Sequence, residues 1–170
     1  MNYQIEKMNE NNALDYAKVS ATAWNQSYRG IVSQEFLNDI NRAEEIERMT
    51  INLKNATEDG SQRFLLKENN EYVGIVRVRE TKYTEYRDYG ELGALYLLDK
   101  AKKKGYGKIL FKFAKEQLKK LGYYKMIVGC LEDNPANDFY KHMGGKFIKQ
   151  YPIKIGNQNM KENIYLYENI

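Results

Sequence analysis

The chain has 170 residues, one cysteine, two prolines and a formal net charge of +4, a length that suits one domain spanning residues 1–170. Its 13% aromatic content and lack of low-complexity tracts exclude disorder and repeat architectures. Cys130 has no partner for an internal disulfide, and no basic-then-apolar leader or run of about 18 apolar residues occurs, so a cytoplasmic protein with no membrane association is expected.

Tyr3, Ile5 and Lys7 alternate with their neighbours as a short strand would, and the polar cluster Asn9 to Asn12 ends it. Leu14, Ala17, Ala21, Trp24 and Tyr28 recur at steps of three and four, predicting a helix that stops at Gly30. A second helical stretch carries Phe36, Leu37, Ile40, Ile46, Met49 and Leu53 up to the turn signal Asp59-Gly60. From Arg63 the period changes. Phe64 to Leu66 and Tyr72 to Val78, joined at Asn69-Asn70, predict a β-hairpin. Glu91 to Leu98 is almost wholly apolar after its first residue, which predicts a central strand buried on both faces. Ile109, Leu110, Phe113, Ala114, Leu118 and Leu121 form another helical stripe, closed by Gly122. A strand at Tyr124 to Leu131, a short helix at Asn134 to Met143 and a terminal hairpin about Gly156-Asn157 complete the order.

Charge is unevenly spread: residues 1–85 hold 11 Lys/Arg against 14 Asp/Glu, and residues 86–170 hold 16 against 9. The densest basic run, Lys100 and Lys102 to Lys104, abuts Gly105 and Gly107 at a predicted helix start. Unpaired amides of a first helical turn, glycines that let an oxygen approach, and lysines together make an anion cradle suited to a diphosphate rather than to nucleic acid. A magnesium-holding phosphate loop needs Ser or Thr after the lysine, where Ile109 stands, and a dinucleotide fingerprint needs glycine at Leu110.

The spacing resembles instead the Q/R-x-x-G-x-G/A signature of the GNAT superfamily of acetyltransferases. Lys102 takes the Gln/Arg place, Gly105 and Gly107 are the glycines, and Leu95-Tyr96-Leu97 is the strand motif upstream. Asn134 with Phe139-Tyr140, followed by Gly144-Gly145, resembles the family's second motif, and the likeness covers roughly residues 63–150. Lys102 departs from the pattern by lacking a planar, multi-donor head.

The resemblance implies an α/β (α+β) fold: a central mixed, mostly antiparallel sheet of six to seven strands, splayed at its middle and flanked by about four helices. It implies acetyl-coenzyme A as co-substrate and no metal. The pantetheine arm would pair with Leu95, Tyr96 and Leu97, Lys102, Lys103, Lys104, Gly105, Tyr106, Gly107 and Lys108 would surround the diphosphate, and Asn134 and Phe139 would close the other side. Tyr140 matches the family's general acid toward the leaving thiolate. Glu91 matches a position that often supplies a base, and period-two alternation puts it on the face of Leu95 and Leu97; the other reading is an ion pair with Arg77 or Arg79. Tyr140 has a packing alternative beside Phe139, and Trp24 and Tyr28 are either core or the wall of an acceptor pocket.

The lone His142 is expected on the surface and Cys130 in the core, and too few His and Cys exist for a zinc site. The resemblance implies as acceptor an amine of a small molecule or peptide, which the sequence does not identify further, and a monomer or homodimer is expected. A non-catalytic regulator that binds acetyl-coenzyme A shares the cradle and stays open.

Overall fold

The computed structural model describes residues 2–56 and 59–170. Seven strands form one sheet: β1 (Tyr3–Lys7), β2 (Gln62–Glu68), β3 (Glu71–Glu80), β4 (Gly90–Leu97), β5 (Met126–Leu131), β6 (Lys146–Ile155) and β7 (Gln158–Tyr167). Their spatial order is β1-β2-β3-β4-β5-β7-β6, and every pairing is antiparallel except that of β4 with β5. The helices α1 (Ala13–Tyr28), α2 (Gln34–Ile40) and α3 (Ala43–Asn55) cover one face, where Tyr16 and Val19 of α1 meet Leu65 and Ile75. On the other face α4 (Tyr106–Lys120) buries Leu110, Phe111, Ala114 and Leu118 against Val76, Val78 and Leu92, and α5 (Ala136–His142) packs beside it through Tyr140. Among the described residues no helix is long and apolar enough to cross a membrane.

The β2–β3 hairpin turns at Asn69 and Asn70 with φ of 49° and 65°, the left-handed pair that a two-residue turn requires and asparagine tolerates. The single second helical stretch expected from the sequence is two helices. Asn41 donates its side-chain amide to the Leu37 carbonyl at 2.8 Å and to the Ala21 carbonyl at 3.0 Å, ending α2, and Arg42 is extended before α3 begins. Leu14, expected on the buried stripe of α1, is 42% exposed; Ala13, Tyr16 and Ala17 face the sheet in its place.

The central strand departs most from expectation. Only Gly90 to Leu92 of β4 are buried, and Gly93 to Leu97 are half-buried, because β5 pairs with β4 solely at Gly90 with Met126 and Glu91 with Ile127. Beyond that the two strands part. The register of β3 against β4 slips there: Arg77 opposes Ala94 but Val78 opposes Leu92, leaving Gly93 as the extra residue of a bulge, which bends and twists its strand.

The loop from β5 to α5 is fixed by Asn137, a buried side chain that donates to the carbonyls of Leu131, Glu132 and Asn134 at 2.8, 3.1 and 2.7 Å. Its oxygen accepts from the Tyr165 hydroxyl at 2.7 Å and the Asn163 amide at 3.0 Å. Replacing it by alanine strands several buried polar groups, each worth about 1 to 3 kcal/mol when unpaired. Asn137→Ala is therefore expected to lower stability by roughly 2 to 4 kcal/mol, measured by urea denaturation against the wild-type chain.

Candidate active site

Where β4 and β5 separate, a cleft of about 840 Å³ opens, lined by Leu95, Tyr96, Leu97, Lys102, Lys103, Gly105, Gly107, Lys108, Asn134, Phe139 and Tyr140. The sequence-derived residues of both motifs thus converge. At its mouth the chain leaves β4 through a short 3-10 turn at Asp99–Ala101, takes Lys103 to a φ of 61° and Gly105 to 83°, and enters α4. Lys102 closes on the Asp99 carbonyl, and Ile109 is the next residue whose N–H finds a backbone acceptor, in Gly105. Among the described residues, every N–H from Lys103 to Lys108 has no acceptor in the protein. A row of unpaired donors at the positive end of a 15-residue helix is an anion site.

The lysine side chains divide. Lys104 reaches away to the Glu68 carboxylate at 2.9 and 3.1 Å, and the buried Tyr106 ring sends its hydroxyl to the same carboxylate at 2.7 Å. Lys104 and Tyr106, expected around the diphosphate, thus direct their side chains to Glu68 and offer their backbone N–H groups at the helix start. Lys102 lies against Asp99 at 2.7 Å in an exposed pair, which salt and solvent weaken and an incoming anion can displace. Lys103 and Lys108 have no carboxylate partner among the described residues.

Farther in, the hydroxyls of Tyr28 and Tyr96 share a hydrogen bond of 2.9 Å, and Trp24 packs edge-on against Tyr28 at 4.6 Å. Tyr28 is a wall of the cleft and Trp24 a wall of a second pocket. Tyr140 is 7% exposed, and burial, with Cys130 and Tyr96 close by, raises its hydroxyl well above the ordinary tyrosine range. Burial also pushes the Cys130 thiol up to about 12, so this cleft-lining sulfur stays protonated and a poor nucleophile. Asn134 lines the cleft beside Tyr28 and uses its oxygen to hold the Ala136 N–H at 2.9 Å, and His142 is exposed on α5.

Glu91 is not brought into the cleft. The bulge at Gly93 breaks the two-residue alternation, so Glu91 faces the α1 side with its cross-strand partner Arg79, while Leu92, Leu95 and Leu97 face α4. Its carboxylate is held at both oxygens, by Arg79 Nη2 at 2.8 Å and by the Lys82 N–H at 2.9 Å. The ion-pair alternative is the one observed, and it includes a backbone contact that no spacing rule contains.

A different carboxylate lies against Gly129 of the cleft lining. Glu162 of β7 lies over Gly129, a cleft residue, so closely that a side chain at Gly129 would collide with it and with the Tyr83 hydroxyl. One Glu162 oxygen accepts from Tyr83 at 2.7 Å and Lys82 Nζ at 3.4 Å, and the other has no partner among the described residues. Glu162, Gln26 and Ser27 were not marked by any motif, because two segments distant in sequence, the end of α1 and β7, bring them near the gap.

The second pocket, about 590 Å³, lies beneath α1, α2 and α3 and shares Gly93, Ala94 and Tyr96 with the cleft. Trp24, Phe36, Ile40 and Met49 give it an apolar side, and Arg48, Arg63 and Arg77 a charged one.

Residues 19–144 match the profile of the Acetyltransferase (GNAT) family. The chain is 27% identical over 155 residues to the Uncharacterized N-acetyltransferase YuaI of Bacillus subtilis (strain 168), covering 87% of this chain and 83% of that protein. The PaiA N-acetyltransferase of Thermoplasma acidophilum, solved in complex with coenzyme A, superposes with a TM-score of 0.72 at 20% identity over 95% of this chain and 98% of that one. YncA of Salmonella typhimurium, solved with its cofactor acetyl-CoA, superposes at 0.71 with 14% identity over 98% of this chain and 94% of that one. At these identities the structural likeness is one of fold.

Gly105 carries the geometry of the cradle. Space is open at its Cβ position, so a substitution suffers from its φ of 83° rather than from collision. Gly105→Ala is expected to cost about 1 to 2 kcal/mol in that conformation and to turn the amides off axis. Calorimetry with coenzyme A should show roughly 10-fold weaker binding, with the thermal midpoint lowered by about 2 to 8 °C.

Proposed function

This chain belongs to the GNAT family of acetyltransferases, and on that premise we propose that it moves an acetyl group from acetyl-coenzyme A to a primary amine of a small molecule or peptide, by direct attack in a ternary complex. The run of unpaired N–H groups from Lys103 to Lys108, at the mouth of the cleft between β4 and β5, is the observation that carries this reading. Bound there, acetyl-coenzyme A supplies an activated thioester carbonyl.

The chain's residues then have separate tasks. The cradle amides, with Lys102, Lys103 and Lys108, take the diphosphate. The unpaired edge of β4 at Leu95 to Leu97 and the side-chain amide of Asn134 receive the polar groups of the pantetheine arm, as a sheet edge receives an added strand. A free N–H of that edge also offers hydrogen bonding to the carbonyl oxygen as it gains charge. Tyr140, kept protonated by burial, donates its hydroxyl proton to the departing sulfur. An alkyl ammonium with a pKa of about 10.4 is neutral in roughly one molecule per thousand at pH 7, so a proton acceptor at the cleft is useful. Glu162, with one oxygen uncommitted beside Gly129, is that acceptor, and Glu91 serves as the counter-ion of Arg79. Direct attack is favoured because Cys130 is held as its thiol, which makes it a poor covalent carrier.

Free thiol released from acetyl-coenzyme A across an amine panel is the test. Tyr140→Phe is expected to lower kcat about 100-fold without changing coenzyme A affinity, since it deletes one hydroxyl from the cleft. Glu162→Gln, which keeps the Tyr83 contact, should lower the rate by a similar factor at pH 7 and by progressively less as pH approaches the amine pKa. Turnover equal to wild type in both variants, or coenzyme A binding with no thiol release for any amine, would leave a binding protein and not an enzyme.

A further inference from the structure

The second pocket, which meets the cleft at Gly93, Ala94 and Tyr96, carries a charge imbalance. On its polar wall Arg48 pairs with Glu45 and Arg63 with Asp59, and just beyond it Arg79 pairs with Glu91. Arg77 stands among them, cross-strand from Arg63, and has no carboxylate partner among the described residues. Its Nη2 donates to the Gly93 carbonyl at 3.2 Å, and its Nε is a buried donor with no acceptor. Burial and the neighbouring Arg79 and Arg63 lower its pKa, as expected for a cation short of compensation. Beside it the Tyr16 hydroxyl, which burial pushes up to about 12, remains a proton donor facing the same pocket.

We infer that Arg77 is the recognition site for a carboxylate on the acceptor, and that the acceptor is an α- or β-amino acid with an apolar side chain. One guanidinium without a carboxylate partner among the described residues matches one negative charge, and a planar fork matches a carboxylate. A polyamine would bring a second cation against Arg77, with Glu45 and Asp59 already engaged, so it is disfavoured by like charge. The length of the acceptor follows from the strand. Arg77 is hydrogen-bonded to Gly93, and Gly93 to Tyr96 is where the pocket meets the cleft, so amine and carboxylate must be only a few bonds apart. Trp24, Phe36 and Met49 face the rest of the molecule, which selects an apolar body.

This rests on the acetyltransferase reading, and the experiment separates the two. Thiol release is measured for matched pairs: leucine with 3-methylbutylamine, phenylalanine with 2-phenylethylamine, methionine with 3-(methylthio)propylamine, β-leucine with 3-methylbutan-2-amine, and spermidine alone. The amino acid of at least one pair is expected to exceed its decarboxylated partner by about 10- to 100-fold in kcat/KM. Arg77→Met should erase that preference, chiefly through KM of the acid, while the simple amine changes less than about threefold. Arg77→Lys should restore part of it, and thermal melts of both variants confirm folding. Preference for the simple amines or spermidine overturns the inference, as does an Arg77→Met variant that slows acid and amine equally, which would make Arg77 a support of the bulge. Coenzyme A binding with no acetylation of any pair member also overturns the amino acid assignment, whereas absence of coenzyme A binding overturns the reading beneath it.

Discussion

The parting of β4 from β5 after two paired residues is the constraint from which the site follows. Two adjacent strands in a sheet interior ordinarily satisfy one another, and here the facing edges beyond Glu91 and Ile127 do not. The bulge at Gly93 accompanies the separation, and that residue has room for no side chain. A Cβ there would stand 2.9 Å from Arg77 Nε and 3.3 Å from Arg79 Nε. The guanidinium groups lie over the bulge, one anchored to Glu91 and one to the Gly93 carbonyl itself. Bulge and gap thus adjoin one another, with the half-buried Arg77 and Arg79 side chains over Gly93 on the face of the sheet opposite α4.

Local features were legible in the sequence to the extent that their cause is local. The Asn69-Asn70 turn, the amphipathic α4 with its stop at Gly122, and the glycine-lysine cradle each depend on a few consecutive residues, and each stands where spacing puts it. Gly122 closes α4 with the N–H of Tyr123 on the Leu118 carbonyl and its own on Lys119. The family motif placed Tyr140, Asn134 and Phe139 in one cleft correctly because it carries tertiary information that composition lacks. What failed was period-two alternation through Gly93. A single inserted residue reverses the face of everything before it, and no property of the string Glu91-Leu92-Gly93-Ala94 announces whether the glycine is in register. Glu162 and Arg77 were beyond reach for another reason: a carboxylate on the last strand and an arginine on the third acquire meaning only when β7 crosses β5 and β3 crosses β4.

The charges of the two binding regions are organised differently. Around the cradle, exposed lysines pair with Asp99, Glu68 and Glu71, contacts that solvent screens and that yield to a ligand at little expense. Beneath α1 Arg63 and Glu91 are buried while Arg48 and Asp59 stay exposed, so the inner part of that wall, where a rearrangement strands a charge, is the stiffer part. A soft collar fits a large, multiply charged and common co-substrate. A stiff, nearly balanced wall fits discrimination among small acceptors, since a mismatched charge cannot be absorbed by side-chain motion.

The two regions approach the gap from opposite faces of the sheet, and this bears on the order of chemistry. The cleft is walled by α4, α5 and the end of α1, the pocket by α1, α2 and α3, and they meet at Gly93, Ala94 and Tyr96. Neither entrance crosses the other, so both partners can be present together and no residue needs to carry the acetyl group between them. The hydroxyls gathered at the junction fit that requirement. Burial holds Tyr28, Tyr96 and Tyr140 protonated, giving a set of neutral donors that can follow charge as it moves from amine to carbonyl to sulfur. A split sheet therefore leaves a backbone edge of β4 unpaired at the cleft and gathers protonated tyrosine hydroxyls where the two pockets meet.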